Sequence, residues 1–283
     1  VVRWRGRGGR CAALAASAGL AAACARPVPP PDVVWIVVDT LRADHLGAWG
    51  YERPTSPAID AFAADAVRFD RAYAPSTWTK PSVASMLTGV HPRTHGVLEL
   101  DHALPADAVT MAERLRAAGW ATGAVVSHHL ISRAFGYEQG FERFRDDQGR
   151  GHRYVSSPAV TRQAIEMIDA LAAGERPFFL LVHYFDPHFM YLRHDDVRFA
   201  GDAPERIDVD RSFGELQDME PPLDAGEIGH LVATYDEEIR FTDRWIGELL
   251  DALRARGLYA AAPVALPADH GEAYFGHGTI AHS

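Results

Sequence analysis

The stretch VVWIVV, from Val33 to Val38, is an uninterrupted apolar run made mostly of β-branched residues. A strand with one solvated face alternates apolar and polar positions, whereas this run contains no polar position. It therefore predicts a strand that is buried on both faces, as in a parallel sheet covered by helices. Further strands are predicted in WATGAVVS, PFFLLVHYF and APVALP.

Helix signals lie between these predicted strands. SPAIDAFAADAV offers Ser56 as an N-cap and Pro57 as the first helical residue, and TMAERLRAAG places Thr110 and Glu113 at capping-box spacing. SPAVTRQAIEMIDALAAG and TYDEEIRFTDRWIGELLDALRARG predict two longer helices, the second of which ends at Gly257. The alternation predicts an α/β fold with a mostly parallel central sheet flanked by helices on both faces. Residues 197–227, rich in Asp, Glu, Pro and Gly, predict a long insertion or lid.

Residues 1–31 differ in composition from the rest of the chain. A basic stretch, a small apolar stretch and a proline-rich spacer follow one another as in a secretory signal. LAAAC, ending at Cys24, also resembles a bacterial lipoprotein cleavage box. We therefore expect export to the periplasm or the extracellular space, with possible membrane attachment through a lipid at Cys24. An apolar N-terminal helix is the alternative, and residues 32–283 form the predicted folded domain.

Charge and cysteine content exclude several functions. The formal net charge is −10, and beyond the N-terminus the Lys and Arg residues are scattered among acids, so the sequence does not favour nucleic-acid binding. Small-molecule or carbohydrate substrates are the better expectation. The two cysteines, Cys11 and Cys24, both lie in the first segment, so residues 32–283 can form neither a disulfide nor a cysteine metal site.

Carboxylates and imidazoles follow the predicted strands, where open parallel sheets bind their ligands. Any one of these residues alone would be interpreted as a helix cap, a turn former or a surface histidine. Their convergence makes Asp39, Asp269 and His270 candidate ligands of one divalent cation, because carboxylates suit calcium, magnesium or manganese and an imidazole admits manganese or zinc. The residues that follow the four strands are Asp39, Ser127, His128, His129, Asp186, His188, Asp269 and His270.

Thr79 opens a further helix signal, TKPSVASMLTG, which ends at Gly89. Pro81 suits the first or second helical position, which places Thr79 at or just before the N-cap. Free N–H groups and the helix dipole favour an anion at that point, and a hydroxyl beside a metal can attack a bound phosphoryl or sulfuryl group. A plain N-cap threonine is the alternative.

Four segments, in this order and spacing, resemble the sulfatase family of the alkaline phosphatase superfamily. They are VVWIVVDTLRADHLGAWGY, TKPSVASMLTGVHPRTHGV, FFLLVHYFDPH and DHGEAYFGHG. The resemblance implies a large α/β sandwich with a metal and a nucleophile at the carboxyl ends of the central strands. Residues 32–283 would be the N-terminal part of a sulfatase-like catalytic domain that lacks its C-terminal subdomain.

The resemblance also implies roles for single residues. Thr79 would be the nucleophile, His129 would help to activate it, and a protonated His282 would act as general acid. His188 and Ser127 would bind substrate. Calcium is the metal that the family implies, with manganese, magnesium and zinc as other possibilities. The implied metal ligands are Asp39, Thr40, Thr79, Asp269 and His270.

Departures from the family pattern bear on the chemistry. Sulfatases carry Cys or Ser in C-x-P-x-R and convert it to formylglycine, whereas this chain reads T-K-P-S-V. Thr79 cannot give the aldehyde, because oxidation of a secondary alcohol yields a ketone, and Val83 replaces the arginine. Thr40 replaces the second aspartate of the family, and Ser127 replaces a lysine.

The sequence therefore predicts a metal-dependent, sulfatase-like hydrolase that cleaves sulfate or phosphate esters without formylglycine. A phosphotransferase acting on lipid headgroups or glycans through a phospho-threonine intermediate is one alternative, and Thr79 and Cys24 favour it. A catalytically inactive domain that binds sulfated or phosphorylated glycans is the other.

Overall fold

A computed structural model describes residues 30–149, 151, 154–207 and 212–274 and the backbone of Ile280–Ala281. The predictions for residues 1–29, including Cys24, and for His282 lie outside these residues. The described residues form seven strands, which are β1 (Val33–Val38), β2 (Ala121–Val126), β3 (Arg143–Arg145), β4 (Phe178–Tyr184), β5 (Val264–Ala265), β6 (Ala273–Tyr274) and β7 (Ile280–Ala281).

Eight α-helices accompany these strands within the described part of the chain. Several shorter 3₁₀ turns lie in the loops. The helices are α1 (Pro57–Ala64), α2 (Thr79–Thr88), α3 (Pro92–His95), α4 (Met111–Ala117), α5 (Ser157–Ala172), α6 (Phe213–Gln217), α7 (Ala225–Ala255) and α8 (Leu258–Ala261).

The central sheet has five parallel strands in the order β3-β2-β4-β1-β5. The register aligns Val37 of β1 and Val126 of β2 with His183 of the central strand β4. A separate two-stranded antiparallel sheet joins β6 and β7. All carboxyl ends of the five parallel strands therefore meet at one edge.

Both faces of this sheet are covered, as the apolar run in β1 predicts. Val34 and Ile36 pack on the side that carries α5 and α7, whereas Val37 packs on the side that carries α2 and α4. Every residue of β4 is buried. The predicted α/β fold with helices on both faces is confirmed.

The start of α7 and the short strand β3 differ from the sequence predictions. Helix α7 begins at Ala225, nine residues before the predicted start, because Asp224 and Glu227 form a capping box inside the stretch that suggested an insertion. Strand β3 was not predicted, because a three-residue strand carries too little periodicity to read. The capping box at Thr110 and Glu113 forms as predicted. Within the described residues, no helix has the length and apolarity needed to cross a bilayer.

Candidate metal and nucleophile site

Asp39 is the first residue beyond β1, and the sheet itself positions it. Its N–H donates to the carbonyl of Tyr184 at 2.9 Å, which extends the pairing of β1 with β4 by one step. The side chain is fully buried. A carboxylate is thereby fixed at the carboxyl edge of the sheet, as the sequence predicts.

Asp269 and His270 reach the same edge from the segment that follows β5. One oxygen of Asp269, Oδ1, accepts from the N–H of Thr40 at 3.2 Å and from the N–H of His270 at 2.8 Å. Its other oxygen, Oδ2, is buried and has no hydrogen-bond partner among the described residues. One oxygen thus orients the carboxylate and leaves the other available to a ligand.

The ligand atoms of Asp39, Asp269 and His270 lie within 4.8 Å of one another. His270 Nε2 is 3.4 Å from Asp39 Oδ1 and 3.5 Å from Asp269 Oδ2. Its Nδ1 lies 2.9 Å from the carbonyl of Gly271, which assigns the proton to Nδ1 and the lone pair to Nε2. The lone pair then faces the two carboxylates, as in a metal-binding histidine.

Electrostatics at Asp39 favour a cation. Burial raises the pKa of the Asp39 carboxyl well above its usual range, and the negative charges of Asp269 and Glu272 raise it further. A divalent cation at this point would compensate the negative charge of these carboxylates. Two buried carboxylates and an imidazole lone pair fit a metal ion by their chemistry.

Thr79 is the first residue of α2, and Trp78 takes the N-cap position. The Thr79 hydroxyl points to the metal cluster, with Oγ1 3.2 Å from His270 Nε2 and 3.4 Å from Asp39 Oδ2. Thr79 is 2 % exposed. The plain N-cap alternative therefore does not describe Thr79, because its hydroxyl contacts the candidate ligands.

Thr40, the neighbour of Asp39, adopts a positive φ of 53°, which is uncommon outside glycine. This backbone conformation turns its N–H toward Asp269, while its carbonyl accepts from Tyr235 Oη at 2.6 Å. The Thr40 hydroxyl is buried and lacks a hydrogen-bond partner within the described part of the chain. It is one more polar atom available beside the cluster.

Imidazoles line the adjacent part of the same edge. His188 is buried, with its ring 5.8 Å from that of His128 and stacked on Phe185 at 4.6 Å. His129 is exposed and lies 5.9 Å from His128, ring to ring. The structure therefore places His188 and His128 inside the edge and His129 at its rim, and the catalytic role of His129 stays a prediction.

Ser127 serves the framework of the sheet. Its hydroxyl donates to the carbonyl of His183 and accepts from the N–H of Phe185, both at 2.8 Å. These two bonds join the end of β2 to the end of β4. The predicted substrate contact of Ser127 stays a prediction.

The comparison with protein families supplies the decisive observation. The model of the family described as Sulfatase matches residues 31–283, which is nearly all of the chain. The chain belongs to the sulfatase family.

Curated relatives of this sulfatase-family chain are themselves sulfatases by name. It is 28% identical to an ulvan-active sulfatase of Formosa agariphila over 86% of the chain and 50% of that protein. It is 36% identical to human arylsulfatase A over 52% of the chain and 31% of that enzyme. The chain spans about half, or less, of the length of these relatives.

Solved structures agree with this fold. A protein in complex with its substrate D-glucosamine-2-N,6-O-disulfate superimposes with a TM-score of 0.68 at 18% identity, over 88% of the chain and 67% of that protein. The phosphonate monoester hydrolase of Agrobacterium radiobacter also superimposes with a TM-score of 0.68, at 19% identity, over 86% of the chain and 63% of that enzyme. At these identities the likeness establishes the α/β fold.

One buried residue beside the cluster is not among the site residues that the sequence predicts. His183 lies inside β4, and its Nε2 is 3.8 Å from Asp39 Oδ2. Burial lowers the pKa of His183 to about 4. The apolar stretch PFFLLVHYF indicates only that residue 183 lies in the core. The register of β4 against β1 shows that its imidazole lies beside Asp39.

Proposed function

We propose that this chain carries the metal and nucleophile site of a hydrolase that cleaves sulfate or phosphate esters through Thr79. The observation that carries the proposal is the Thr79 hydroxyl, which lies 3.2 Å from His270 Nε2 and 3.4 Å from Asp39 Oδ2. A hydroxyl at a helix start, beside a cation site, is positioned to attack a bound anion.

Asp39, Asp269 and His270 would hold one divalent cation, with the hydroxyls of Thr79 and Thr40 as further oxygen donors. The cation would supply Lewis acidity and lower the pKa of a neighbouring hydroxyl. His270 and Asp39 contact the Thr79 hydroxyl and orient its oxygen. The first N–H groups of α2 have no partner within the helix and would favour an anionic ester near Thr79.

The covalent step would form a bond from Thr79 Oγ1 to the phosphorus or sulfur atom as the bond to the leaving alcohol breaks. The alcohol oxygen takes a proton from an acid, for which His282 is the expected group. The Thr79 hydroxyl proton would pass to solvent as Oγ1 attacks. Water would then attack the ester on Thr79 and release phosphate or sulfate, while one of its protons regenerates the acid and the other reaches Oγ1. A threonine completes this cycle without formylglycine.

Sulfated saccharides are the substrate class that the relatives favour. The relatives include proteins named for ulvan, N-acetylgalactosamine 6-O-sulfate and iduronate 2-sulfate. A phosphate ester is a second candidate substrate, because a threonine nucleophile can form a phospho-threonine intermediate that water then hydrolyses. Separate incubations with a phosphate ester and a sulfate ester distinguish the two substrate classes.

Intact-protein mass spectrometry after brief incubation with an aryl phosphate, and separately with an aryl sulfate, tests the proposal. We expect the mass of one transferred group on Thr79, its absence in Thr79→Ala, and a loss of turnover of roughly 10³-fold or more in that variant. Thr79→Ser, which keeps a hydroxyl, is the matched control and should retain the adduct. Unaltered turnover in Thr79→Ala would refute the role of Thr79, and an acceptor-dependent loss of the adduct would identify a transferase.

A further inference from the structure

Thr40, which follows the candidate ligand Asp39, has a backbone conformation that its own side chain disfavours. Its φ of 53° lies in the left-handed region, and within the described part of the chain it is the one residue other than glycine with a positive φ. Threonine is β-branched, and β-branched residues rarely adopt this conformation. Such a conformation persists only where contacts from the surrounding structure hold it in place.

Tyr235 of α7 supplies two of these contacts through a single hydroxyl. Its Oη donates to the carbonyl of Thr40 at 2.6 Å and accepts from the N–H of Arg42 at 3.0 Å. The hydroxyl therefore bridges the two ends of the turn formed by residues 40–42. Tyr235 is fully buried, which shields both hydrogen bonds from competing water.

The next residue of α7, Asp236, fixes the helix at the point that carries Tyr235. One oxygen of its buried carboxylate accepts from the Tyr51 hydroxyl at 2.5 Å and from Arg53 at 2.6 Å. Its other oxygen lies 2.6 Å from His45 Nδ1. These contacts hold α7 against the segment that follows the turn, so the Tyr235 hydroxyl approaches the turn from a fixed support.

The same turn contacts the candidate metal site through the N–H of Thr40. This N–H donates to Asp269 Oδ1 at 3.2 Å, and Asp269 Oδ2 lies 3.5 Å from His270 Nε2. If Thr40 relaxed out of the left-handed region, its N–H would point elsewhere. Asp269 would then lose one of the two backbone hydrogen bonds that orient its carboxylate.

We propose that Tyr235 is a positioning residue of the metal site: its hydroxyl holds the left-handed turn at Thr40 and thereby orients the Asp269 carboxylate for the cation. The inference rests on the proposed metal site and names the residue of α7 on which the geometry of that site depends. Hydrogen-bond partners that orient metal ligands in this way typically contribute about 10- to 100-fold in metal affinity.

Calorimetric titration of the metal-free protein with Zn²⁺, Mn²⁺ and Ca²⁺, each alone, tests the proposal. For the ion that the wild type binds most tightly, we expect Tyr235→Phe to lower the affinity by about 10-fold or more. Tyr184→Phe is the matched control, because Tyr184 is equally buried and its hydroxyl lies 2.7 Å from that of Thr161 on α5. Its metal affinity should stay within about 3-fold of the wild type. Equal affinity in Tyr235→Phe and the wild type would overturn the role of Tyr235 and leave the metal site intact.

Substitutions at Thr40 separate the turn from every other effect of Tyr235→Phe. Thr40→Gly gives a residue that enters the left-handed region without steric cost, whereas Thr40→Val removes the same hydroxyl and keeps the β-branch. Combined with Thr40→Val, Tyr235→Phe should again lower metal affinity by about 10-fold, whereas combined with Thr40→Gly it should lower it by less than about 3-fold. Equal losses in the two combinations would show that Tyr235 does not act through the Thr40 backbone, which would overturn the proposal.

The stability of the metal-free protein distinguishes a positioning residue from a general support of the fold. Tyr235→Phe and Tyr184→Phe both remove a buried hydroxyl, so their urea midpoints should fall by similar amounts. A Tyr235→Phe protein that does not fold, or whose midpoint lies far below that of Tyr184→Phe, would overturn the proposal. A wild type that binds none of the three ions would instead refute the proposed function, and the inference with it.

Discussion

Asp39 and Asp186 are the two carboxylates that follow the neighbouring parallel strands β1 and β4. Both are buried, and burial raises the pKa of both. Asp186 accepts from the N–H groups of Ser156 and Ser157 at 3.1 and 2.8 Å and from their hydroxyls at 3.3 and 2.6 Å. Asp39 Oδ2 lies 3.4 Å from the Thr79 hydroxyl oxygen, and the negative charge of Asp269 further raises the pKa of Asp39.

The difference separates two uses of one sequence pattern. Asp186 satisfies the first N–H groups of α5 and fixes that helix to the end of β4. Asp39 accepts from the Thr79 hydroxyl and lies close to a second carboxylate, which is the arrangement expected of the cation ligand proposed above. A buried carboxylate with a full set of donors is part of the framework, whereas one that faces another acid marks a cation site.

The largest expected effect follows from Asp39→Asn. Loss of this carboxylate should weaken Zn²⁺ or Mn²⁺ binding by roughly 3 to 5 kcal/mol, which is more than 100-fold, because a charged ligand is removed from a buried site. Equilibrium dialysis with elemental analysis measures the affinity. A loss of metal affinity smaller than 10-fold would show that Asp39 does not differ from Asp186 in binding a cation.

The matched change, Asp186→Asn, should act on stability. Its amide would present N–H groups to the donors of Ser156 and Ser157, so we expect the free energy of unfolding to fall by about 3 kcal/mol. Metal affinity of the folded variant should stay within about 3-fold of the wild type. Denaturant titration and dialysis check both parts, and a stability equal to that of the wild type would show that these bonds contribute nothing.

Glu238 of α7 provides a third buried carboxylate, with the N–H of Leu192 at 2.5 Å and His194 Nε2 at 3.1 Å. Burial raises its pKa from 4.5 to about 7. The folded state therefore binds the Glu238 proton more tightly than the unfolded state does. The stability that protonated Glu238 contributes is fully present below pH 4.5 and is lost as the pH rises through 7.

From pH 5 to pH 8 this loss should lower the free energy of unfolding by about 2 kcal/mol. Glu238→Gln, which does not titrate, should remove that part of the decline. Urea denaturation across the pH range measures it. A decline of the same slope in both proteins would show that Glu238 is not the titrating group.

The smallest effects are expected from removing the hydroxyls of Ser157, which contacts Asp186, and of Thr79, which contacts Asp39. Ser157→Ala removes a 2.6 Å bond to Asp186 and should lower the free energy of unfolding by about 1 kcal/mol. Thr79→Val, in the metal-free protein, removes only contacts of 3.2 to 3.5 Å and should cost less than about 0.5 kcal/mol. A larger cost at Thr79 would mean that its hydroxyl stabilises the fold.

The sequence predicts the parts of this molecule that depend on local pattern. The apolar run of β1 predicts a sheet covered on both faces, and the polar residues after the strands predict the cluster of Asp39, Asp269 and His270. Strand-end position cannot distinguish Asp39 from Asp186, because the distinction depends on which donors the folded chain brings to each carboxylate.

His183 shows a second limit of the sequence. Its place in the apolar stretch PFFLLVHYF indicates a core residue, and only the register against β1 shows that its ring lies beside Asp39. The start of α7 shows a third, because Asp224 and Glu227 form a capping box in a stretch whose composition indicates a loop.

The free energy of unfolding of Asp39→Asn relative to the wild type, measured without metal and again with saturating Zn²⁺, tests the central claim most directly. We predict that the metal-free variant is at least as stable as the wild type, because the variant removes repulsion between buried carboxylates. With Zn²⁺ the wild type should gain stability and the variant should gain little, since only a folded site with its ligands binds the ion. A variant that is less stable by the same amount in both conditions would contradict the claim that Asp39 is kept for a cation.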